Sequence, residues 1–287
     1  MNTQCYLCYL QRNVELARSL GDEKTATAFT KDLMALYLSA PEGVSAPWFG
    51  PAVNELLKKY YHIDEDRFRK EKEDSNRFVL ERMPQIRALA EAAPDPVYAA
   101  LQYAILGNYI DFAALRGEVS FDKLEEMLRK ARELSLDQRV YCQFCKDLAA
   151  GTRFLLLTDN AGEIGFDRIL AEELKKKYPH LQITFCVRGG PAQNDATRED
   201  ADAVGIPFPV IDNGTAIAGT QLDLLGEDAL RAITTADVIL SKGQGNAETL
   251  LGCGYNIYYA FLVKCPRFVQ MFGKEKMTPM LIREKDN

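Results

Sequence analysis

The segment from residue 154 to residue 163 constrains the fold of this chain more than any other. It reads FLLLTDNAGE, an apolar run that ends at Asp159 and Asn160 and is followed by a turn of small residues. An uninterrupted apolar run of this length is typical of a strand buried on both faces of a parallel sheet. Polar residues directly after such a strand lie where open α/β sheets bind their ligands. The segment therefore predicts a first strand whose carboxyl end presents Asp159 and Asn160.

These two side chains fit two different roles. Carboxylate and amide oxygens are hard ligands, which suit Mg²⁺ or Mn²⁺ better than zinc. Asp and Asn are also good helix N-caps, and a helical pattern follows them. The segment alone leaves both interpretations open, so the other strand ends must decide between them.

Composition excludes several classes of protein. The chain has 287 residues, 47% of them hydrophobic, which suits one large or two ordinary domains with a substantial core. The net charge of −6 and the lack of long basic runs argue against binding to nucleic acid. No apolar stretch approaches the roughly 18 residues of a membrane span. No secretory signal is visible, so we expect a cytoplasmic protein whose seven cysteines are reduced.

The chain changes character near Gly151. Before it, apolar residues recur at helical spacing, with Asp22 and Ser120 as expected N-caps. Helices are predicted over 53–60, 65–93, 96–108 and 121–134. After it, strands predicted over 153–157, 181–187, 208–211, 238–240 and 258–263 alternate with helices over 163–178, 197–204 and 227–233. We therefore expect an α/β fold: an all-α domain over 1–150, then a Rossmann-like three-layer α/β/α domain over 151–287 with a mainly parallel sheet.

Two later strand ends also carry polar groups. The second strand leads into Arg188 and then Asp195, and the fourth leads into Lys242, with a helix expected to start at Asn246. In a parallel sheet these ends share one edge with the first. Asp159, Asn160 and Asp195 are therefore candidate ligands of a divalent cation. The candidates for binding phosphate are Lys242, Gly243, Gly245, Asn246 and, more weakly, Arg188.

Each of these features has a simpler explanation. A Gly-x-Gly sequence after Lys242 also occurs in ordinary loops. Asp195 is also suited to begin the next helix, and an arginine such as Arg188 is more often a surface residue. The occurrence of all three at predicted strand ends favours a site for metal and phosphate.

Other motifs point away from familiar sites or stay ambiguous. The sequence has no P-loop, no dinucleotide fingerprint after the first strand, and only two histidines. Cys5/Cys8 and Cys142/Cys145 have zinc-ligand spacing, but both pairs lie in helical patterns, which favours thiols in helix packing over a structural metal. Asn108 and Asp111 are three residues apart and would share a helix face that closes the site, unless they only cap the helix. They are weaker candidates for contacts with the substrate or with the residues that bind it.

Taken together, these residues resemble the metal-dependent damage-control phosphatases, also called the ARMT-like family and long catalogued as a domain of unknown function. The matching stretches are 159–167 (DNAGEIGFD), 194–201 (NDATREDA) and 242–248 (KGQGNAE). Gly107–Asn108, Ile110–Asp111–Phe112 and the Cys5-x-x-Cys8 pair fit the microbial branch. The resemblance spans nearly the whole chain.

The resemblance implies a hydrolase of phosphomonoesters of small metabolites, such as sugar phosphates or phosphopantetheine-like compounds. It implies a divalent metal (Mn²⁺, Co²⁺, Ni²⁺ or Mg²⁺) held by Asp159, Asn160 and Asp195, with Lys242 on the phosphate. Asp159 as a covalent nucleophile ranks lower, because Ala161 stands where haloacid dehalogenase-like enzymes carry a second carboxylate. The alternatives are a non-catalytic protein that binds a phosphometabolite or nucleotide, and a carboxyl methyltransferase. We expect no membrane or nucleic-acid partner.

Overall fold

The computed structural model describes residues 1–111 and 119–286, so Phe112 of the family-like segment lies outside the described residues. The first half of the chain is helical, as expected. Its helices are α1 (Thr3–Leu20), α2 (Glu23–Ser39), α3 (Gly50–Tyr61), α4 (Arg69–Glu91), α5 (Pro96–Gly107), α6 (Phe121–Arg129) and α7 (Gln138–Ala150). The expected caps are confirmed: Asp22 accepts a hydrogen bond from Thr25 N and Ser120 accepts one from Lys123 N.

Helices α1, α2 and α3 pack around a core of their own. Phe29, Leu33 and Phe49 are fully buried at its centre. This cluster includes no residue of the sheet. The first three helices thus form a separately packed unit, which the sections below call the N-terminal unit.

The second half contains a six-stranded sheet within the described residues. Its strands are β1 (Arg153–Leu157), β2 (Gln182–Val187), β3 (Val210–Asp212), β4 (Val238–Lys242), β5 (Ile257–Leu262) and β6 (Pro279–Arg283). The order is β3-β2-β1-β4-β5-β6, and every pairing is parallel except that of β6. The helices that follow the strands are α8 (Glu163–Lys177), α9 (Arg198–Ala203), α10 (Glu227–Thr235), α11 (Gly243–Leu250) and α12 (Pro266–Phe272). The predicted α/β class and mainly parallel sheet are confirmed.

Side-chain alternation along the strands divides the core into two layers. On β1, Phe154 and Leu156 face one core, while Leu155 and Leu157 face the other. Because successive strand residues point to opposite faces, this run is apolar throughout and both faces of the sheet are covered.

The larger core joins the helical half of the chain to the sheet. Helix α5 is buried on all sides because it lies between other helices and the sheet, and it packs along α8. Gly107 of α5 permits this approach, since an added Cβ would lie 2.7 Å from Phe166. One continuous core thus includes Leu101 of α5 together with Leu156 and Leu240 of the sheet. The domain boundary near residue 150 stays a prediction.

The structure differs from the sequence-based expectation in its last quarter. Helix α11 begins at Gly243, three residues before the expected start at Asn246. The antiparallel edge strand β6 and the short helix α12 were not predicted, since neither has a long periodic pattern. Within the described residues, no helix combines the length and apolarity needed to cross a bilayer.

Replacing Leu101 by alanine tests the shared core. Leu101 is fully buried in the cluster that includes the sheet. We expect Leu101→Ala to lower the free energy of unfolding by about 2–5 kcal/mol in urea denaturation, because it leaves a cavity. Leu38 is 89% exposed, so Leu38→Ala is the matched control, with an expected change within about 0.5 kcal/mol. Equal stability of the two variants would contradict the packing described here.

Candidate active site

Four polar loops meet where the order of the strands reverses. Strand β1 lies between β2 and β4, so the chain crosses from one side of β1 to the other. In open α/β sheets, ligands bind outside the carboxyl ends of the strands at such a switch point. Asp159 follows β1, Asp195 follows β2, Lys242 ends β4 and Lys264 follows β5.

Asp159 is held in place by side-chain donors from two parts of the chain. Its Oδ2 accepts hydrogen bonds of 2.8 Å from Asn108 Nδ2 and from Asn160 Nδ2. Burial raises the pKa of Asp159 well above its usual range, and the charges of Asp195 and Glu163 raise it further. A carboxylate in such surroundings gains from any added positive charge.

Asp195 is brought beside Asp159 by the backbone. Asn160 and Asp195 form an isolated antiparallel bridge, and Ala196 N donates to Asp159 O at 2.7 Å. Arg188 then clamps the pair: its Nε lies 2.6 Å from Asp195 Oδ2 and its NH2 lies 3.8 Å from Asp159 Oδ1. Burial raises the pKa of Asp195 to about 6, although Arg188 opposes this shift.

Asn160 connects the two loops to a buried glutamate. Its Nδ2 donates to Glu163 Oε2 at 2.7 Å, and its Oδ1 accepts from Asn194 Nδ2 at 2.8 Å. Glu163 is fully buried and also accepts from Asn108 Nδ2. The side chain of Asn160 is therefore fixed at both the nitrogen and the oxygen of its amide group.

Lys242 lies beneath this group and is absent from the lining of the cavity next to Asp159. Its Nζ donates to Glu163 Oε1 and Asp167 Oδ1, both at 2.6 Å, and to Ala104 O at 2.9 Å. All three side chains of this ion cluster (Lys242, Glu163 and Asp167) are fully buried. Although burial alone would lower the pKa of Lys242, the two carboxylates raise it, so the ammonium stays charged. Its three hydrogens are all engaged, which differs from the expected contact with phosphate.

Asn246 also braces the site from inside. Its Oδ1 accepts from Arg188 NH1 at 3.0 Å, and its Nδ2 donates to Thr158 O and Lys242 O. Asn246 and Arg188 are both buried and hold the Asp195 loop to β1 and β4. The structure thus positions them behind the carboxylates, where neither lines the cavity.

The two candidate glycines permit close contacts between loops. Gly243 has φ +78°, and an added Cβ would lie 2.0 Å from Asp159 Oδ2. At Gly245 an added Cβ would lie 2.3 Å from Ala218 O. Any side chain at position 243 would therefore displace the Asp159 carboxylate.

A cavity of about 470 Å³ opens above Asp159 and Asp195. The sheet side of its wall includes Asp111, Gln244, Gly245, Glu248 and Lys264. Its opposite wall is α1, with Gln4, Cys5, Leu7, Cys8, Gln11 and Arg12. The cavity therefore lies between the N-terminal unit and the carboxyl edge of the sheet.

Lys264 is a cavity-facing cation, in addition to Arg12 and Arg267, that the sequence motifs do not reveal. It lies two residues beyond β5, and its side chain is 1% exposed. Its Nζ donates to Asp111 Oδ2 at 2.6 Å. The only sequence signal for it is a lysine at the carboxyl end of a predicted strand. Asp111 contacts Lys264 across the cavity wall, whereas Asn108 contacts Asp159 from within the protein.

The side chains at the site suit a cation that prefers oxygen ligands better than one that prefers thiolate ligands. In the described ranges, no group of three or more His, Cys, Asp or Glu side chains could hold a metal ion. Two crowded carboxylates and an amide remain, and these are oxygen donors of the kind that Mg²⁺ and Mn²⁺ prefer. The cysteines are free thiols, and the two Cys-x-x-Cys pairs form no joint four-thiol site there.

A larger open groove of about 900 Å³ runs along α7 and β6, at the edge of the sheet that β6 forms. Its walls include Asp137, Gln143 and Arg283 but none of the candidate site residues. The chemistry described above is confined to the smaller cavity.

Comparison with known proteins agrees with this geometry. A family model described as "Damage-control phosphatase ARMT1-like domain" matches residues 1–279. An uncharacterized protein of Methanocaldococcus jannaschii is 31% identical over 293 residues, which cover 98% of this chain and 94% of that protein. A damage-control phosphatase of Archaeoglobus fulgidus is 29% identical over 279 residues, which cover 94% of each chain.

A solved structure has the same fold. The crystal structure of a DUF89 family protein from Pyrococcus horikoshii superposes with a TM-score of 0.82, at 27% identity and with 99% of both chains covered. The family model covers far more than half of the sequence, including all of the site loops described above. The chain therefore belongs to the damage-control phosphatase ARMT1-like family.

Proposed function

We propose that the protein is a metal-dependent phosphatase that hydrolyses phosphomonoesters of small metabolites. The observation that carries this proposal is the pairing of two buried carboxylates, Asp159 and Asp195, at the floor of a cavity that also presents Lys264. Carboxylates alone repel a phosphate dianion. A divalent cation between the carboxylates and the phosphate would offset this repulsion, and Lys264 would then act on the same phosphate.

The divalent cation is assigned to Asp159, Asn160 and Asp195. Their fit rests on the donor chemistry and on the raised pKa of Asp159, which reflects burial and the nearby negative charges of Asp195 and Glu163. When bound, a divalent cation supplies Lewis acidity toward the phosphate oxygens. Arg188, Asn108 and Glu163 keep the carboxylates and the amide in fixed orientations, so little rearrangement is needed on binding.

The phosphate is assigned to Lys264 and to the first backbone N–H groups of α11, around Gly243 and Gly245. The N-terminus of this eight-residue helix favours an anion through its free N–H groups and its dipole. Lys264 is nearly dehydrated, so its charge acts on an adjacent phosphate with little screening. Lys242 supports the site from below by holding the Glu163 side chain in place.

Attack on phosphorus by water is favoured over attack by Asp159. Oδ2 of Asp159 accepts hydrogen bonds from Asn108 and Asn160, which restrains the carboxylate from moving toward a substrate. Sugar phosphates and phosphopantetheine-like compounds are the substrate classes we would test first. The cavity of about 470 Å³ is large enough for either headgroup.

Asp159→Asn tests the catalytic assignment. We expect at least a 100-fold loss of phosphate release from p-nitrophenyl phosphate with Mn²⁺, since even changes behind a metal ligand cost about 10–100-fold. Asp202→Asn, at an exposed position of α9, is the matched control and should keep full activity. The folded state is checked by circular dichroism. Undiminished turnover in Asp159→Asn would reject the site.

Metal binding can be measured without any substrate. We expect Mn²⁺ at about 100 times its Kd to stabilise the wild-type protein by about 2.7 kcal/mol, because it binds only the native state. In a thermal melt, Tm should rise with Mn²⁺ concentration for wild type and for Asp202→Asn. Asp195→Asn should show little or no rise. A shift of the same size in Asp195→Asn would mean that the ion binds elsewhere.

Two lysine variants separate the two assigned roles. Lys264→Gln should keep the fold and lower kcat/KM by about 100-fold, as expected for the loss of a charge that stabilises the transition state. Lys242→Gln leaves Glu163 and Asp167 buried without a counter-ion, so it should lose about 3–5 kcal/mol of stability. Urea denaturation and steady-state kinetics distinguish these outcomes. If instead Lys242→Gln lost activity while Lys264→Gln lost stability, the phosphate contact would be reassigned to Lys242.

A further inference from the structure

Two thiols of α1 face the cavity and take no part in the proposed phosphatase chemistry. Cys5 and Cys8 are three residues apart, and both line the α1 wall of the cavity. Residues at this spacing are neighbours on one face of a helix. Helix geometry places their Cα atoms about 5 Å apart, which lies within the range that a disulfide bond spans. The two thiols can therefore be joined without moving α1 as a whole.

The two thiols have different surroundings. The Cys8 side chain is exposed, whereas Cys5 is half-buried and Arg267 NH1 donates to its Sγ at 3.8 Å. Burial and the charge of Glu248 raise the pKa of the Cys5 thiol, and Arg267 opposes this rise. A reagent from solvent therefore meets Cys8 first. Cys5 is suited to attack a sulfur atom already held beside it, and Arg267 stabilises the thiolate that forms during this attack.

The position of the pair in α1 favours closure of a disulfide bond. Cys5 lies in the first turn of the helix, and its backbone N–H donates to Asn2 Oδ1 at 2.8 Å. The N–H groups of a first turn have no intrahelical carbonyl partner. A local change of backbone conformation at Cys5 therefore disturbs few of the hydrogen bonds that hold the helix together.

A second pair with the same spacing lacks these features. Cys142 and Cys145 lie beyond the first turn of α7, where the N–H groups bond within the helix. The Cys145 thiol also lies beside the hydroxyls of Tyr141 and Tyr178. Within the described residues, neither thiol of this pair lines the cavity next to Asp159. The pair is thus an internal control for the effect of cysteine spacing alone.

We propose that Cys5 and Cys8 form a dithiol site that exchanges with small-molecule disulfides such as oxidised glutathione. The Cys8 thiolate attacks one sulfur of the added disulfide, whose S–S bond breaks and releases one thiolate. The Cys5 thiolate then attacks the Cys8 sulfur, so the mixed disulfide breaks and the second thiolate leaves. The two leaving thiolates take up the two cysteine protons. Two electrons pass from the cysteines to the added disulfide, which is reduced to two thiols.

The location of the pair gives this exchange a consequence for the cavity. A group attached to Cys8 lies at the α1 wall and reduces the space above Asp159. Closure of the Cys5–Cys8 bond expels that group and restores the space. Cys5 thus clears an adduct that Cys8 alone would retain. The inference goes beyond the proposed function and does not depend on it, since the exchange requires neither a metal nor a phosphate ester.

The test treats the reduced, metal-free full chain with oxidised glutathione and follows it by intact-protein mass spectrometry and peptide mapping. We expect wild type to lose two hydrogens in mass and to contain a Cys5–Cys8 disulfide. Cys5→Ser and Cys5→Ala should both accumulate one glutathionyl group on Cys8. Cys8→Ser should slow the reaction of Cys5 by at least about 10-fold, because the remaining thiol is half-buried. Cys142→Ser is the matched control and should form the Cys5–Cys8 bond at the wild-type rate.

Three outcomes would refute the dithiol site. The first is a mixed disulfide on Cys8 that persists in wild type as long as it does in Cys5→Ser. The second is a bond from Cys5 to Cys265, which also lines the cavity. The third is formation of a Cys142–Cys145 disulfide as fast as the Cys5–Cys8 bond, since spacing alone would then explain the result. Circular dichroism before treatment checks that each variant is folded.

Discussion

The buried ion cluster of Lys242, Glu163 and Asp167 is the interaction on which the site depends. It joins the end of β4 to the first turns of α8, and the same Glu163 holds the amide of Asn160. A lysine in a dry interior must be matched by acceptors on all its hydrogens, and here two carboxylates and Ala104 O provide them. The cluster therefore fixes the position of the loop after β1 relative to β4 before any ligand binds.

Above the ion cluster, a second set of contacts holds two like charges together. Asp159 and Asp195 repel each other, and the fold opposes this with Arg188, Asn108 and the backbone bridge between the two loops. Each restraint comes from a different element, so the carboxylates cannot separate without disturbing α5, β2 or the Asp195 loop. A binding site of this kind is prepared by packing and is not formed by its ligand.

Much of this arrangement is readable from the sequence, because strand ends are local signals. The apolar run before Asp159 and the turn residues before Asp195 identify which loops share an edge, and the structure brings these two residues together as expected.

The partners of Lys242 cannot be read from the sequence in this way. Its carboxylates lie 79 and 75 residues earlier in the chain, and nothing local tells whether a lysine at a strand end points outward or back beneath the sheet. Lys264 was not predicted from the sequence, because no motif surrounds it. It reaches the cavity because β5 lies beside β4 in the sheet.

The separate core of the N-terminal unit has a consequence for how this architecture can diversify. The α1 side chains that face the cavity include Gln4, Leu7, Cys8 and Gln11, and all four are exposed outside that core. Replacing them alters the shape and polarity above the reacting group without removing any buried packing. One half of the cavity is thus constrained by buried charge, while the other half is free to vary, so the proposed phosphatase would accept new leaving groups from the α1 side with its assigned phosphate end unchanged.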